Sequence, residues 1–279
     1  KDDIKLHIAK KKDDDYVVQG AFKNRKKLIN PKALFDLFKV KIDILSDKEI
    51  KIETNNNFAF KVNKKQKIND LKFKSNLKFD HLFINYNSVV IKRYLKDYKN
   101  LVYFKEGAFD IDYSTNKLSV IGKTKYSLDK KFDNLKFELL KNNNLYKFDT
   151  TVEINSSPLL LKSIDYFKDK KQLSVIRAKG NFLKDSKINL DQLLYSENKN
   201  YFEIDKLKLN QKFKILDLKK VDVNYINQKD KLNNFTIKKN NKNYVLLGKS
   251  LDSSDLINDL LKNKTTKRFL DNFENLNTN

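Results

Sequence analysis

The chain has 279 residues, of which 39% are hydrophobic and 34% charged, and its 59 Lys and Arg against 36 Asp and Glu give a formal net charge of +23. Without cysteine it has no disulfide or thiolate metal site, and no apolar stretch reaches the ~18 residues of a membrane helix. The charge favours a nucleic acid or an anionic membrane as partner, although Lys and Asn are abundant throughout, as biased base composition alone would produce. Methionine is absent, including at position 1, so we expect a processed product or a fragment of a longer protein.

The first predicted element in chain order is a short helix over residues 30–38, with Asn30 as its cap and Pro31 at its first position. Apolar residues at helical spacing, each time after a helix start signal, also predict short helices at residues 88–98, 157–167 and 253–261. Residues 265–276 predict a helical tail, so we divide the chain into a sheet domain, residues 1–264, and a tail, residues 265–279.

Alternation of apolar and polar residues dominates the rest of the chain and predicts strands with one apolar and one wet face. It is clearest where Leu71, Phe73, Leu77 and Phe79 alternate with charged and amide residues. The same pattern recurs at residues 58–62, 82–86, 109–113, 118–126, 135–139 and 146–154. The fold class we predict is mostly β: a long curled antiparallel meander sheet forming an open apolar groove, with short interspersed helices.

Asparagine-rich segments are predicted to form the turns, because asparagine tolerates a positive φ better than most residues that carry a β-carbon. These segments are residues 54–58, 114–118, 141–146, 196–201 and 238–244. Five glycines are therefore enough for a hairpin-rich fold. We interpret glycines within strands as marks of a bulge or bend.

Gly248, Lys249 and Ser250 match the end of a phosphate-binding loop, but the loop's first glycine position is Asn243. Residues 244–247 are bulky and favour a packed strand instead. No nucleophile elbow, helical zinc motif or glycine-rich dinucleotide turn occurs, and His7 and His81 lie far apart. We therefore expect a protein that is not an enzyme and that has no cofactor or metal.

The runs at residues 176–210 and 235–261 resemble the AsmA-like proteins of Gram-negative envelopes, of the TamB and YhdP type. In that family a small residue, an apolar residue and an aspartate precede a short helix that closes a stretch of sheet. Gly248, Leu251 and Asp252, followed by Leu256 and Leu260, fit this sequence pattern. Residues 101–123 fit the strand pattern that precedes it, and the resemblance covers residues 60–265.

The resemblance implies a sheet that curls into an open trough, apolar inside and charged outside, in a periplasmic protein. It also implies an anchor in the inner membrane through an N-terminal segment missing from this chain, and transport of phospholipid between the inner and outer membranes. The implied partners are phospholipid acyl chains, the inner membrane and outer-membrane proteins. We predict that the groove is lined by thirteen apolar residues: Leu71, Phe73, Leu77, Phe79, Phe109, Ile111, Tyr113, Leu118, Val120, Tyr146, Phe148, Val152 and Ile154.

Three alternatives stay open. The first is a basic nucleic-acid-binding sheet, although alternation at residues 71–79 places aromatic residues and lysines on opposite faces, whereas base stacking needs them together. The second is a fragment of an outer-membrane barrel, against which the interspersed helices argue. The third is a surface or secreted module that binds another protein. For each groove residue the competing interpretation is an ordinary closed core.

Overall fold

The computed structural model describes residues 3–10, 16–30, 48–183, 186–241 and 243–261. The predicted helix at residues 30–38, apart from Asn30, and the predicted tail at residues 265–279 lie outside these ranges, as do the side chains of Leu256 and Leu260. The chain divides into two compact units, unit 1 comprising Lys1–Asn87 and Lys99–Asn144, and unit 2 comprising Ser88–Tyr98 and Leu145–Asn279.

Unit 1 is an antiparallel sheet in which each strand pairs with the strands before and after it in the chain. Its strands are β1 (Asp3–Lys10), β2 (Tyr16–Ile29), β3 (Ile50–Val62), β4 (Ile68–Asn85), β5 (Leu101–Ser114), β6 (Lys117–Ser127) and β7 (Asp133–Asn142). Within the described residues, β1 and β7 do not pair with each other, so the sheet is open. The predicted runs at 71–79 and 82–86 belong to one strand, β4.

Unit 2 repeats this plan, with an inserted hairpin and two helices. Its elements are α1 (Val89–Tyr94), β8 (Leu145–Glu153), β9 (Leu159–Leu161), a 3-10 turn (Lys162–Ile164), β10 (Tyr166–Lys168), β11 (Ser174–Leu183), β12 (Ile188–Glu197), β13 (Asn200–Leu209), β14 (Ile215–Ile226), β15 (Leu232–Asn240), β16 (Asn243–Ser250) and α2 (Ser254–Leu261). The sheet order is β8, β11, β12, β13, β14, β15, β16, and β9 pairs only with β10 among the described strands. The prediction of a mostly β, open antiparallel meander with short helices is confirmed.

Asparagine forms the predicted turn at four of the five positions. Asn116, Asn143, Asn198 and Asn241 each adopt a positive φ, between 52° and 66°. The prediction of a turn at residues 54–58 is wrong, because this run lies inside β3. Asn56 is 2% exposed there, and its amide donates to Thr54 Oγ1 at 2.7 Å and to the Phe22 carbonyl at 3.3 Å. The side chain thus finds hydrogen-bond partners in an extended strand and needs no turn.

Two predicted helices inside the described ranges form and one does not. The helix predicted at 88–98 is shorter, Val89–Tyr94, and begins where Ser88 Oγ accepts a hydrogen bond from the Ile91 amide at 3.2 Å. The helix predicted at 253–261 is α2. The helix predicted at 157–167 is wrong, because this segment is the β9–β10 hairpin, in which Asp165 is left-handed with φ 51°.

Candidate functional site

The sheet of unit 1 brings most of the predicted groove residues together on one surface, which we call the unit 1 face. Phe73 lies opposite Phe58 on β3 and Tyr113 on β5. The line continues from β5 to β6, where Tyr113 lies opposite Leu118 and Ile111 opposite Val120. Because paired residues in a sheet project to the same side, predicted residues from β4, β5 and β6 share this face.

Burial along the unit 1 face changes from one end of the strands to the other. Near one end, Phe79 is 6% exposed and forms a cluster with Ile50 and Ile52, against which Leu77 and Phe109 pack. Toward the other end, Phe73, Ile111, Tyr113, Leu118 and Val120 are only half-buried, and Leu71 is 37% exposed. In the described part of unit 1, these side chains therefore keep part of their surface accessible.

All five glycines lie opposite a phenylalanine on a neighbouring strand. The pairs are Gly20 with Phe58, Gly107 with Phe79, Gly122 with Phe109 and Phe137, Gly180 with Phe148, and Gly248 with Phe235. None of these glycines has a positive φ, so the backbone does not require glycine for its conformation. Instead, a Cβ on Gly122 would come within 2.2 Å of the Phe109 ring, and one on Gly107 within 2.1 Å of the Phe79 ring. At these positions glycine makes room for an aromatic ring to lie across the adjacent strand.

Two buried polar residues on the unit 1 face, Asn56 and Thr124, have hydrogen-bond partners. Asn56 lies opposite Ser75 and is bonded as described above. Thr124, which is 5% exposed, donates to the Lys105 carbonyl at 2.9 Å. A buried polar group with a partner adds little cost to an apolar surface.

In unit 2 one end of the sheet is covered, and two predicted groove residues lie in a closed core. Ile154 is 1% exposed in a cluster with Tyr166, Tyr195, Val223 and Tyr225, and Val152 packs against it. The covering side chains come from β9, the 3-10 turn, α1 and the segment before α2, and are Leu159, Leu161, Ile164, Tyr94, Leu95 and Leu251. For Val152 and Ile154 the closed-core interpretation is therefore the correct one.

The closed core of unit 2 contains a hydroxyl and carboxylate network. Tyr166 and Tyr195 both donate to Glu197, the latter at 2.9 Å, and the two hydroxyl oxygens lie 2.8 Å apart. Burial raises the pKa of both tyrosines well above the usual value of 10.0. Tyr225, whose pKa burial also raises, donates to the Ile164 carbonyl at 2.9 Å and so ties the covering segment to β14.

A buried lysine holds the loop that leads into β9. Lys168 is 0% exposed, and its Nζ donates to the carbonyls of Ile154 at 2.5 Å, Ser157 at 2.7 Å and Asn155 at 3.3 Å. These bonds draw three carbonyls within residues 154–157 toward one ammonium group. The Ser157 carbonyl, which would accept the first bond of the helix predicted at 157–167, is bonded to Lys168 instead.

At the opposite end of the unit 2 sheet, the predicted residues Tyr146 and Phe148 are half-buried. The Tyr146 and Phe182 rings stack with centroids 4.9 Å apart, and Phe148 packs against Phe182 at 6.2 Å. These three rings lie outside the closed core. Tyr146 and Phe148 therefore remain candidates for an accessible apolar surface.

Asp252, the aspartate that precedes α2, has a structural role. Asp252 Oδ1 accepts from the Ser254 amide at 3.3 Å, and its Oδ2 accepts from Asn227 at 3.1 Å and pairs with Lys231 at 3.2 Å. The hydrogen bonds from Ser254, together with Lys231 and Asn227, hold the pKa of Asp252 well below its usual value. Asp252 thus fastens the start of α2 to the loop between β14 and β15.

Unit 1 also carries one patch of aromatic and basic residues that the sequence analysis missed. Phe83 and Tyr103 stack at 4.6 Å, Lys48 Nζ lies 4.1 Å above Phe83, and Lys105 Nζ lies 4.0 Å above Phe132. Aromatic and basic groups are together here, contrary to the alternation at residues 71–79. The ring faces are occupied by one another and by ammonium groups, which leaves them poorly suited to stack a base.

Among the described residues, no cluster of three or more His, Asp and Glu side chains could hold a metal ion. No helix in the described ranges is long and apolar enough to cross a bilayer. Comparison with known proteins adds no assignment, since no family model, curated protein or solved structure matches this chain.

Proposed function

We propose that this chain is a non-enzymatic lipid-binding and lipid-guiding segment of an AsmA-like envelope protein. In this proposal it serves phospholipid transport between the inner and outer membranes, in the periplasm, held to the inner membrane by a segment outside this chain. The observation that carries the proposal is the partial exposure of the unit 1 face, where Phe73, Ile111, Tyr113, Leu118 and Val120 are half-buried and Leu71 is 37% exposed.

The chemistry of the unit 1 face suits an acyl chain. Each methylene that leaves water for this surface gains about 0.8 kcal/mol. Successive strands lie about 4.8 Å apart and repeat similar apolar contacts, so a chain moving across the strands exchanges one contact for an equivalent one. The buried polar side chains of Asn56 and Thr124 on this face are hydrogen-bonded within the protein. Such a surface guides lipid without a catalytic residue.

The closed core restricts where lipid would bind in unit 2. Val152 and Ile154 support the fold and are removed from the proposed lipid contacts. Phe79 is buried, and Leu77 and Phe109 pack against its cluster, so these three are removed as well. The proposed contacts are the half-buried members outside both clusters, Phe73, Ile111, Tyr113, Leu118, Val120, Tyr146 and Phe148, with Leu71 at the margin.

Replacing Phe73 with Asp tests the proposal. A carboxylate in the middle of the unit 1 face removes a ring contact and places a charge beside the acyl chain, so binding at this position should weaken about tenfold. The measurement is lipid extraction and mass spectrometry of the purified chain, with bound lipid expressed per protein.

Lys72→Asp is the matched control, since residue 72 neighbours Phe73 but is exposed on the opposite face. It should keep the lipid load of the unmodified chain. A folded Phe73→Asp variant that also kept its full load would remove Phe73 from the site, and an unmodified chain that carried no lipid would refute the proposal.

A further inference from the structure

Three loops in this chain share one sequence pattern and one geometry. Residues 63–67, 210–214 and 227–231 each begin with asparagine and have lysine at the third and fifth positions. In each, the asparagine Oδ1 accepts from both lysine amides at 2.9–3.0 Å. The main chain closes each loop with a bond from the asparagine amide to the carbonyl of the fifth residue. The loops differ mainly in the side chain of the fourth residue and in the ion pairs of their lysines.

The fourth residue of each loop is left-handed, with φ 57° at Gln66, 58° at Phe213 and 58° at Asp230. Such a φ is unusual for a bulky side chain. Phe213 nevertheless occupies it, and its ring is 58% exposed. An unfavourable backbone conformation that holds an aromatic ring in water suggests that the ring contacts a partner.

The lysines of the three loops have different surroundings. In the loop at 227–231, Lys229 pairs with Asp255 at 2.7 Å and Lys231 with Asp252 at 3.2 Å. Among the described residues, no carboxylate lies within ion-pair distance of Lys212 or Lys214. Asp217, in the following strand, pairs with Lys239. In the loop at 210–214, the two lysines that flank Phe213 in the sequence therefore have no ion-pair partner among the described residues.

The loop at 210–214 lies at the end of the unit 2 sheet remote from the closed core. It joins β13 to β14, where Leu209 lies opposite Ile188 and Ile215. Lys187, which is exposed, immediately precedes Ile188 at the same end. Phe213 and the exposed residues Lys187, Lys212 and Lys214 thus lie at the same end of the unit 2 sheet, next to half-buried apolar strand ends.

We propose that this end of unit 2 docks on the surface of an anionic lipid bilayer. Phe213 enters the interface between headgroups and acyl chains, while Lys187, Lys212 and Lys214 contact the anionic headgroups. This inference rests on the proposed function for its purpose, because it names the surface from which the sheet would take lipid. Docking itself is measurable independently of bound lipid.

The test is co-sedimentation of the purified chain with vesicles of phosphatidylcholine, with and without phosphatidylserine. Binding should require phosphatidylserine. The double variant Lys212→Gln with Lys214→Gln should bind about 25-fold more weakly, at about fivefold for each lysine near the surface. Phe213→Ser should bind about tenfold more weakly.

The loop at 63–67 provides matched controls. Lys65→Gln with Lys67→Gln removes the same charge from the same turn geometry, and Ile68→Ser removes an apolar side chain that is 60% exposed. Both should retain nearly full binding. An equal loss from the two lysine pairs would show that the overall charge of +23 drives binding, and would overturn the proposal.

Two further measurements separate docking from lipid binding and from nucleic acid. Lipid extracted from the Phe213→Ser variant should match that of the unmodified chain, and absence of lipid from both would contradict the proposed function while leaving the docking result intact. A single-stranded oligonucleotide that displaced the chain from vesicles and bound more weakly to Phe213→Ser would assign the loop to nucleic acid instead.

Discussion

At the scale of single residues, the use of glycine distinguishes this sheet. Gly20, Gly107 and Gly122 lie under a phenylalanine ring from the next strand, Gly180 and Gly248 lie close to the backbone of the next strand, and none of the five has a positive φ. The turns are formed by asparagine and, in the three five-residue loops, by Gln66, Phe213 and Asp230. Packing on the apolar faces therefore depends on a few positions where a side chain would meet a ring or the backbone of the next strand.

The free-energy cost of replacing a glycine with alanine should depend on which atoms the new Cβ would meet. A Cβ on Gly180 would lie 2.1 Å from the Asn189 carbonyl oxygen, which belongs to the backbone, whereas one on Gly122 meets rings. Because Phe109 is half-buried, it has room to shift. We expect Gly180→Ala to lower the free energy of unfolding by about 2 kcal/mol or more and Gly122→Ala by less than about 1 kcal/mol. Urea denaturation measures both, and the reverse order would contradict this account.

At the scale of elements, alternation predicted the strands well because a half-buried sheet imposes a period of two on its sequence. It predicted that Phe73, Ile111 and Tyr113 face the same way, which the register confirms. It did not predict the pairing of glycine with phenylalanine, since that depends on a register between strands that a single strand does not reveal. Nor does alternation report whether another element covers a face.

The two errors at this scale have one physical origin, which is a side chain whose partner is distant in sequence. Asn56 belongs to a strand because the Phe22 carbonyl, 34 residues away, accepts its amide. Residues 157–167 form a hairpin in which β9 pairs with β10, and Lys168 at its end binds carbonyls 11–14 residues away. Local propensity describes neither interaction.

The closed core should make the protein sensitive to alkali. The pKa values of Tyr166, Tyr195 and Tyr225 are raised by burial, so the folded chain keeps these protons at a pH where the unfolded chain loses them. The stability that they contribute is complete below pH ~10 and is lost above it, at up to about 1.4 kcal/mol per pH unit for each tyrosine.

The corresponding measurement is the free energy of unfolding by urea as a function of pH. Tyr195→Phe should make its decline above pH ~10 shallower by about 1.4 kcal/mol per pH unit. Tyr244→Phe, at a side chain that is 44% exposed, should leave the slope unchanged. Identical slopes for the Tyr195→Phe variant and the unmodified chain would show that the buried hydroxyl is not linked to folding.

At the scale of the whole molecule, each unit combines a sheet with one apolar face and a surface rich in lysine. In unit 2 that face is covered at one end, while in the described part of unit 1 several of its apolar residues stay half-buried and Leu71 is exposed. The difference matters for the proposed function, since a covered face stabilises the fold and an accessible face is available to a ligand. In the lipid-binding proposal, an acyl chain binds the accessible unit 1 face, and the covered end of unit 2 stabilises the fold.

The most direct test of the central claim is to place a photoreactive benzophenone side chain at single positions and identify adducts with co-purified lipid by mass spectrometry. We expect lipid adducts at Ile111 and Tyr113 on the unit 1 face. We expect none at Asp112, which projects to the opposite side of β5, or at Val152 in the closed core. Adducts of equal yield at Asp112 and Tyr113, or none at Tyr113 in protein that carries lipid, would contradict an acyl-binding unit 1 face.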